Sequence, residues 1–248
     1  MSANTLSRDA RHLALPQVGE AGQRKIGEST VLLIGLGGIG CAAATYLASS
    51  GAGRLMLCDF DTVDETNLGR QVLYGPGNIG EAKSDVASAR LRKVNPAVEI
   101  IPIPVRLTDE ALAEAVGQAD VILDGCDNFS TRFQVNDACV TAGRRLITGS
   151  AIRFEGQLAV FGPDYADSPC YRCLYVEADE SLGNCAGNGV LAPVPGVIGT
   201  MMAAEALKYL AGVGSAAPIL RLYDAMATEF RHLAIRKRDD CPACAASR

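Results

Sequence analysis

Short, continuously apolar runs alternate with helical segments along the first 160 residues of the chain. A run that is apolar at consecutive positions and ends in glycine or acidic residues is typical of a parallel strand buried on both faces. The pattern predicts strands at residues 31–34, 54–58, 98–105, 121–123 and 145–148. It predicts helices between them at residues 38–50, 81–94, 109–116 and 130–142. Because Pro102 and Pro104 interrupt the third strand, we expect it to be irregular or to lie at a sheet edge.

This alternation predicts an α/β fold with a Rossmann-like, doubly wound and mostly parallel sheet. The pattern changes after about residue 150, where strands at 156–161, 219–223 and 229–235 flank a helix at 197–210 that stops at Gly212. We expect the last two strands to form an antiparallel extension. The chain is therefore predicted to be a single domain, residues 1–248, with an N-terminal arm (1–30), a nucleotide-binding core (31–160) and a C-terminal part (161–248).

Composition narrows the class of protein. The formal net charge of −5 argues against a nucleic-acid partner, which needs a basic face. No apolar run approaches the ~20 residues of a membrane-spanning helix, and the N-terminus lacks the apolar stretch of a secretory signal. We expect a cytoplasmic protein without a membrane partner.

A glycine loop follows the first predicted strand and opens the first helix of the core. Gly35, Gly37 and Gly40 have the spacing that lets backbone N–H groups approach phosphate oxygens at a helix N-terminus. Asp59 ends the second strand, where a carboxylate accepts hydrogen bonds from ribose hydroxyls. NAD, FAD and ATP all fit this pair of features, and a glycine-rich turn without a ligand is the alternative.

Three charged positions favour ATP over the dinucleotides. Lys83 lies in the first turn of a predicted helix, where a cation opposes the helix dipole unless an anion binds nearby. Arg70 is a second cation downstream of Asp59, and either residue alone is more often a solvated surface charge. Asp127 and Asn128 follow the strand at 121–123, at the edge where open α/β sheets bind ligands. A carboxylate there can hold Mg²⁺, and a helix N-cap is the competing and compatible role.

Nine cysteines in a chain expected to be cytoplasmic call for metal, catalytic or core roles before disulfides. The pattern C-x-x-C occurs twice, at Cys170/Cys173 and at Cys241/Cys244, and two such turns supply the four thiolates that structural Zn²⁺ prefers. Redox chemistry is the alternative. Four further cysteines stand in apolar contexts and are predicted to be buried core residues: Cys41, Cys58, Cys126 and Cys139.

With these residues assembled, the chain resembles the superfamily of ubiquitin-activating enzymes, and in particular the bacterial sulfur-carrier adenylyltransferases of the ThiF/MoeB/HesA family. Five motifs that carry the resemblance occur in order: Gly35-x-Gly-Gly-x-Gly40, Asp59-Phe-Asp61, Asn67-Leu-x-Arg-Gln71, Gly80-x-x-Lys83 and Asp124-x-x-Asp127-Asn128-x-x-x-Arg132. The segment 151–157 and the cysteine pairs extend the resemblance over nearly the whole chain.

The resemblance implies that the C-terminal carboxylate of a small ubiquitin-like carrier, ending in Gly-Gly, attacks the α-phosphate of ATP. Asn67, Arg70 and Lys83 would contact the phosphates, Asp59 the ribose, and Asp127 Mg²⁺. The nucleotide-binding residues it implies are Gly35, Gly37, Gly38, Gly40, Asp59, Asp61, Asn67, Arg70, Gln71, Lys83, Asp127 and Asn128. The four paired cysteines would hold a structural zinc in the C-terminal part.

Two further residues gain roles from the resemblance. Arg11 matches an arginine that reaches across a homodimer interface into the partner's active site, although Asp9 replaces a usual tyrosine and Gly69 a usual glutamine. Cys185 lies in a glycine-rich segment that resembles the crossover loop of the family. In ThiF-like members the matching cysteine bonds covalently with the carrier, whereas in MoeB-like members it is dispensable, and both readings stay open.

The sequence therefore predicts an ATP-dependent adenylyltransferase acting on a ThiS- or MoaD-like sulfur carrier, in thiamine or molybdopterin biosynthesis. An NAD-dependent oxidoreductase and a related tRNA-modifying adenylating enzyme are the alternatives. Because the chain ends just past the second cysteine pair, we expect the sulfur to come from a separate sulfurtransferase or cysteine desulfurase.

Overall fold

The computed structural model describes residues 3–176, 189–214 and 218–245. Within them, eight strands form one sheet: β1 (Thr30–Ile34), β2 (Arg54–Cys58), β3 (Glu99–Ile103), β4 (Val121–Asp124), β5 (Arg145–Ile152), β6 (Glu155–Phe161), β7 (Ile219–Asp224) and β8 (Glu229–Ala234). The α-helices of these residues are α1 (Ala3–Leu13), α2 (Gly19–Glu28), α3 (Gly38–Ser49), α4 (Lys83–Val94), α5 (Asp109–Gln118), α6 (Phe129–Ala142), α7 (Tyr171–Leu174) and α8 (Pro193–Ala211).

The sheet has the order β3-β2-β1-β4-β5-β6-β7-β8. The first five strands pair in parallel and the last four pair antiparallel, so β5 belongs to both parts. The predicted mostly parallel sheet with an antiparallel extension is confirmed. Because the chain runs outward from β1 to β3 and returns to β4 beside β1, the topology reverses between β1 and β4. Ligands of open α/β sheets bind at such a reversal, outside the carboxyl ends of the strands.

Strand β1 shows why its sequence reads as a continuous apolar run. Val31 and Leu33 pack into the core cluster on one face of the sheet, with Ile26 and Ile198. Leu32 and Ile34 pack into the cluster on the opposite face, with Phe133. Successive side chains of a strand point to opposite faces, so a strand covered on both faces needs apolar residues at every position.

The predicted elements hold best in the parallel part. Strand β2 has the predicted bounds, β3 lies at the sheet edge as expected, and α8 ends at Gly212 in the left-handed conformation. Helix α8 begins earlier than predicted, at Pro193, because proline is tolerated in the first turn of a helix. The N-terminal arm contains α1 and α2, which the apolar pattern did not predict. In α2 the buried positions are Gly22, Gln23 and Ile26, so only one of them carries a large apolar side chain.

Strand β5 is twice as long as predicted and continues into a hairpin with β6. Gly149, just beyond the end of the predicted strand, lies inside β5, and helix α8 crosses the sheet there. A Cβ at this position would lie 2.5 Å from the Met202 sulfur and 2.7 Å from an Ile198 carbon, distances too short for van der Waals contact. The glycine therefore serves close packing of helix on sheet.

Candidate nucleotide site and four-cysteine cluster

A cleft of about 170 Å³ opens at the carboxyl ends of the parallel strands, where the sheet topology reverses. It brings together ten of the residues predicted for the nucleotide site: Gly35, Gly37, Gly38, Asp59, Asp61, Arg70, Gln71, Lys83, Asp127 and Asn128. Two others, Gly40 and Asn67, lie outside its lining. The sequence motifs thus converge on one place in the fold.

The glycine loop connects β1 to α3 by a tight turn. Gly35 has a φ of +87°, a conformation that side chains rarely adopt, and a Cβ there would also lie 2.9 Å from the Cys126 nitrogen. Gly40 packs beneath the loop, because a Cβ at this position would lie 1.9 Å from the Gly35 carbonyl oxygen. Gly40 therefore allows the loop to close, while Gly37 and Gly38 face the cleft at the N-terminus of α3.

Asp59 is held rigidly at the end of β2. One carboxylate oxygen accepts a hydrogen bond from the Leu36 backbone N–H (2.6 Å), and the other accepts one from the Asp61 N–H (2.9 Å). Burial raises the pKa of this carboxyl above its ordinary value of 3.8, and the two backbone donors oppose that shift. Each carboxylate oxygen has a second lone pair, so Asp59 can still accept from a pair of hydroxyls.

Lys83 is the first residue of α4 and is buried, with 7% of its side chain exposed. Its ammonium group donates to an Asp61 carboxylate oxygen at 3.1 Å. The Asp61 side chain is half exposed, so water screens its attraction for Lys83. Asp61 therefore neutralises the charge of Lys83 only in part. A buried ammonium beside a glycine loop can attract phosphate, and its predicted phosphate contact stays a prediction.

Arg70 and Gln71 follow a short 3₁₀ turn, Glu65–Asn67. The Arg70 guanidinium donates to the Thr66 carbonyl (2.9 Å) and lines the cleft. Gln71 is 4% exposed, and its carbonyl oxygen Oε1 has no hydrogen-bond partner among the described residues. The Asn67 backbone carbonyl accepts from the N–H groups of Arg70 and Gln71, so Asn67 shapes this turn, while its predicted phosphate contact stays untested.

The sequence left two roles open for Asp127 and Asn128, a Mg²⁺ ligand and a helix N-cap. The Asn128 side chain caps α6, because its oxygen accepts from the Thr131 N–H at 2.8 Å. Asp127 is exposed and lines the cleft. A single carboxylate near a phosphate-binding loop fits Mg²⁺, which takes one or two protein carboxylates together with phosphate oxygens and water.

Arg132, the last residue of the fifth motif, holds the end of β4 and the turn that follows it. It is 6% exposed and lies 3.9 Å from the buried carboxylate of Asp124. Its guanidinium also donates to the Cys126 carbonyl, the Gly149 carbonyl (2.9 Å) and the Thr148 hydroxyl (2.9 Å). Arg132 therefore ties together the turn that carries Asp127.

Two further cleft residues, Phe60 and Arg106, had no predicted role. Both are exposed and lie in connections after strands, where no periodic pattern distinguishes a ligand contact from a solvated side chain.

One cysteine prediction is also corrected. Cys41, Cys58 and Cys139 are buried as expected, whereas Cys126 is only half-buried and lines the cleft because it lies beyond the end of β4.

The four paired cysteines form a closed cluster. Their sulfur atoms all lie within 4.8 Å of one another and all four residues are buried. Two of the sulfur–sulfur separations join the two motifs, Cys170 to Cys241 at 3.6 Å and Cys173 to Cys244 at 3.5 Å. Tetrahedral Zn²⁺ with Zn–S distances of ~2.3 Å places its sulfurs about 3.8 Å apart. The donor set and its spacing therefore fit a structural zinc ion.

Two predicted residues cannot be tied to the cleft. Arg11 is exposed on α1, on the same helix as the buried Asp9, and its contact with a partner subunit stays a prediction. Cys185 lies outside the described residues, which resume at residue 189.

Together, the sheet topology, the glycine loop and the buried Asp59 define an α/β nucleotide-binding protein. The sequence profile of the ThiF family matches residues 10–243. The chain belongs to the ThiF family.

Three curated relatives are similar over almost the whole chain. It is 46% identical over 241 residues to the adenylyltransferase and sulfurtransferase MOCS3 of Xenopus laevis, which covers 96% of this chain and 53% of that protein. The chain thus spans about half the length of MOCS3. It is 44% identical to the sulfur carrier protein ThiS adenylyltransferase of Escherichia coli, covering 100% of this chain and 98% of that one. The molybdopterin-synthase adenylyltransferase of E. coli is 42% identical, covering 98% of each chain.

The fold also matches a solved structure. The crystal structure of E. coli MccB with ATP has a TM-score of 0.82 at 23% identity, covering 98% of this chain and 74% of that one. At this identity the likeness concerns the fold alone.

Within the described residues, no helix is both long and apolar enough to cross a membrane.

Proposed function

We propose that this protein adenylates the C-terminal carboxylate of a small ubiquitin-like sulfur carrier at the expense of ATP. One observation carries the proposal: a single cleft holds the cations Arg70 and Lys83 and the exposed carboxylate Asp127 beside a glycine loop and Asp59. A dinucleotide oxidoreductase would use the loop and Asp59, but it has no need of the other three. The ThiS and molybdopterin-synthase adenylyltransferases are similar over their full lengths, which supports the same reaction here.

In the proposed reaction, a carboxylate oxygen of the carrier attacks the α-phosphorus of ATP. The bond from that phosphorus to the bridging oxygen breaks, and pyrophosphate leaves with the electron pair. The products are an acyl-adenylate on the carrier and free pyrophosphate. Because the attacking carboxylate is ionised at neutral pH, no general base is needed. The protein must supply alignment of the reacting atoms and positive charge on the phosphates.

The residues of the cleft match these needs. Lys83, buried beside the loop, would stabilise the charge that develops on the phosphates, since a preorganised charge acts strongly in a site with little water. Arg70 would contact phosphate from the rim of the cleft, and the unpaired oxygen of Gln71 would accept from a donor of the bound substrate. Asp127 would hold Mg²⁺, which neutralises phosphate charge when bound.

The carrier itself is proposed as ThiS-like or MoaD-like. The names of the two full-length E. coli relatives point to different carriers at almost equal identity, 44% and 42%. The pathway would be thiamine or molybdopterin biosynthesis. Sulfur would come from a separate sulfurtransferase or cysteine desulfurase. The cytoplasmic location expected from the composition stays a prediction.

We also propose that the chain is a single adenylation domain and acts as a homodimer. Strands from residues 31–160 and from 161–248 share one sheet, which supports one domain. Arg11 would complete the cleft of the partner subunit. Mixing inactive Arg11→Ala and Lys83→Ala subunits tests this, because a heterodimer regains one site with both residues intact. Activity that does not return in the mixture would contradict the role of Arg11 across the interface.

The reaction is tested by trapping its product. Wild-type protein is mixed with ATP, Mg²⁺ and purified ThiS-like and MoaD-like carriers, and the carriers are weighed by mass spectrometry. The proposal predicts that one carrier gains an adenylyl group and that Gly-Gly truncation abolishes the gain. A covalent conjugate at Cys185 would indicate the ThiF-like route. Carriers that gain nothing, together with tight binding of NAD, would contradict the proposal.

A further inference from the structure

An exposed aromatic ring and an arginine lie against each other in the lining of the cleft. Phe60 is 50% exposed, and the Arg106 guanidinium carbon lies 4.2 Å from the centroid of its ring. The Arg106 guanidinium also donates to the Thr131 hydroxyl at 3.3 Å. Among the described residues, no carboxylate lies within ion-pair distance of Arg106. Neither an ion pair nor burial in the core therefore accounts for this stack.

The order of the strands places the stack relative to the rest of the cleft. The glycine loop follows β1, Asp59 and Phe60 follow β2, and Arg106 follows β3. Since the sheet order in this region is β3-β2-β1, the connections after these strands lie in the same order along the carboxyl edge. A nucleotide with its phosphates at the glycine loop and its ribose at Asp59 would extend its base toward the connection after β3.

We infer that Arg106, supported by Phe60, forms the wall on which the base of ATP stacks, an inference that rests on the proposed function. The ring covers one face of the guanidinium, and Thr131 holds its edge. In this arrangement the opposite face of the guanidinium would contact the planar base. Leu107, which also lines the cleft, adds apolar surface on the same side.

Arginine suits this role because its guanidinium is planar and stacks on flat π systems, which a lysine ammonium cannot do. Stacking contacts the face of a base and leaves its hydrogen-bonding edge unread. Arg106 therefore contributes affinity for a nucleotide that carries a base and contributes nothing to the binding of the phosphates. This separates its role from those of Arg70 and Lys83.

The test measures the affinity of the full-length protein for two ligands by calorimetry. ATP carries a base, whereas inorganic tripolyphosphate occupies the phosphate end of the cleft without one. For Arg106→Ala we expect about ten-fold weaker binding of ATP and unchanged binding of tripolyphosphate. Arg106→Lys keeps the charge and should bind ATP as weakly as Arg106→Ala. Arg90→Ala removes an exposed arginine on α4 and should match the wild type.

Three results would overturn the inference. Equal weakening of ATP and tripolyphosphate by Arg106→Ala would make Arg106 a phosphate contact. Wild-type affinity in Arg106→Lys would show that charge alone matters, and wild-type affinity in Arg106→Ala would remove Arg106 from the site. Unchanged tripolyphosphate binding also reports that the variant is folded. A wild-type protein that binds tripolyphosphate but not ATP would instead contradict the proposed function, and with it the inference.

Discussion

The cleft and the four-cysteine cluster both gather charged or ionisable groups, yet they do so in opposite ways. In the cleft, polar groups keep unused capacity: Asp127 is exposed, and the buried oxygen of Gln71 has no partner among the described residues. In the cluster, four buried thiols face one another at the spacing of a closed tetrahedron. The difference indicates that polar groups that contact a substrate keep free hydrogen-bonding or ligand capacity. Groups that hold the chain together instead use one another as partners.

This contrast has an energetic counterpart. A closed metal site contributes directly to folding, because its ligands come together only in the folded chain. An open polar site contributes little to folding and can oppose it, as the raised pKa of Asp59 shows. Substitutions in the two regions should therefore separate into losses of stability and losses of chemistry.

The largest expected effect is on the cluster. Cys173→Ser should lower the free energy of unfolding by about 5 kcal/mol, because it removes one of four thiolates from a structural zinc site. Denaturant titration and metal analysis of the purified protein measure the effect. Cys139→Ala, a buried cysteine outside the cluster, is the control and should keep its zinc. A Cys173→Ser protein with full zinc content and wild-type stability would show that the cluster is not a zinc site.

Arg132 is a buried cation in the wall of the cleft, and its guanidinium already has hydrogen-bond partners within the protein. Arg132→Met should cost about 3–5 kcal/mol, because it leaves the carboxylate of Asp124 buried without its counter-charge. Adding Asp124→Asn removes that charge and should recover part of the loss. Urea unfolding of both single variants and the double variant gives the coupling. Strictly additive losses would mean that the two side chains do not depend on each other.

The pH dependence of ribose binding tests the open region. An ionised Asp59 accepts from ribose hydroxyls, so ATP should bind more tightly than 2′,3′-dideoxy-ATP at neutral pH. Because burial raises its pKa above 3.8, this advantage should disappear as the pH falls through the raised value. Phosphate titration is common to both ligands and cancels in the ratio of their affinities. A ratio that stays constant with pH would remove Asp59 from the ribose contact.

The raised pKa of Asp59 also affects the stability of the fold, and its effect there runs opposite to its effect on ribose binding. The folded state holds the Asp59 proton more tightly than the unfolded state does. Its contribution to stability is therefore complete below a pH of about 3.8 and is lost as the pH rises through the folded pKa. Asp59 thus disfavours the folded state at the pH where it would bind ribose.

The smallest expected effect separates capping from ligand binding at Asn128. Asn128→Ala should cost about 1 kcal/mol by removing the cap of α6, and Asn128→Ser should restore most of it. Thermal unfolding measures the cost, and the KM for ATP reports on any direct contact. If Asn128→Ser restores stability but not the KM, the side chain contacts the nucleotide as well as capping the helix.

The sequence predicted the parallel half of the fold well because buried strands such as β1 are apolar at every position and end in glycine. The prediction failed where the structural role of a residue depends on how helices pack on the sheet. The predicted strand stopped at residue 148, although Gly149 lies inside β5 and allows α8 to approach the sheet. Helix α2 was not predicted because only Ile26 marks its buried face. Most candidate site residues followed from ordered motifs. Arg106 lies in an irregular connection outside these motifs, and Phe60 is the middle residue of the motif Asp59-Phe-Asp61 but had no predicted role.

We expect the open cleft to activate a carrier carboxylate with ATP. The most direct measurement is carrier-dependent exchange of labelled pyrophosphate into ATP, with Arg70→Ala compared with Arg90→Ala and Lys83→Ala with Lys93→Ala. We expect exchange that requires the carrier, falls by a factor of about 10²–10³ in the Arg70 and Lys83 variants, and is unchanged in the two controls. Exchange that proceeds equally without a carrier, or at the wild-type rate in Arg70→Ala and Lys83→Ala, would contradict it.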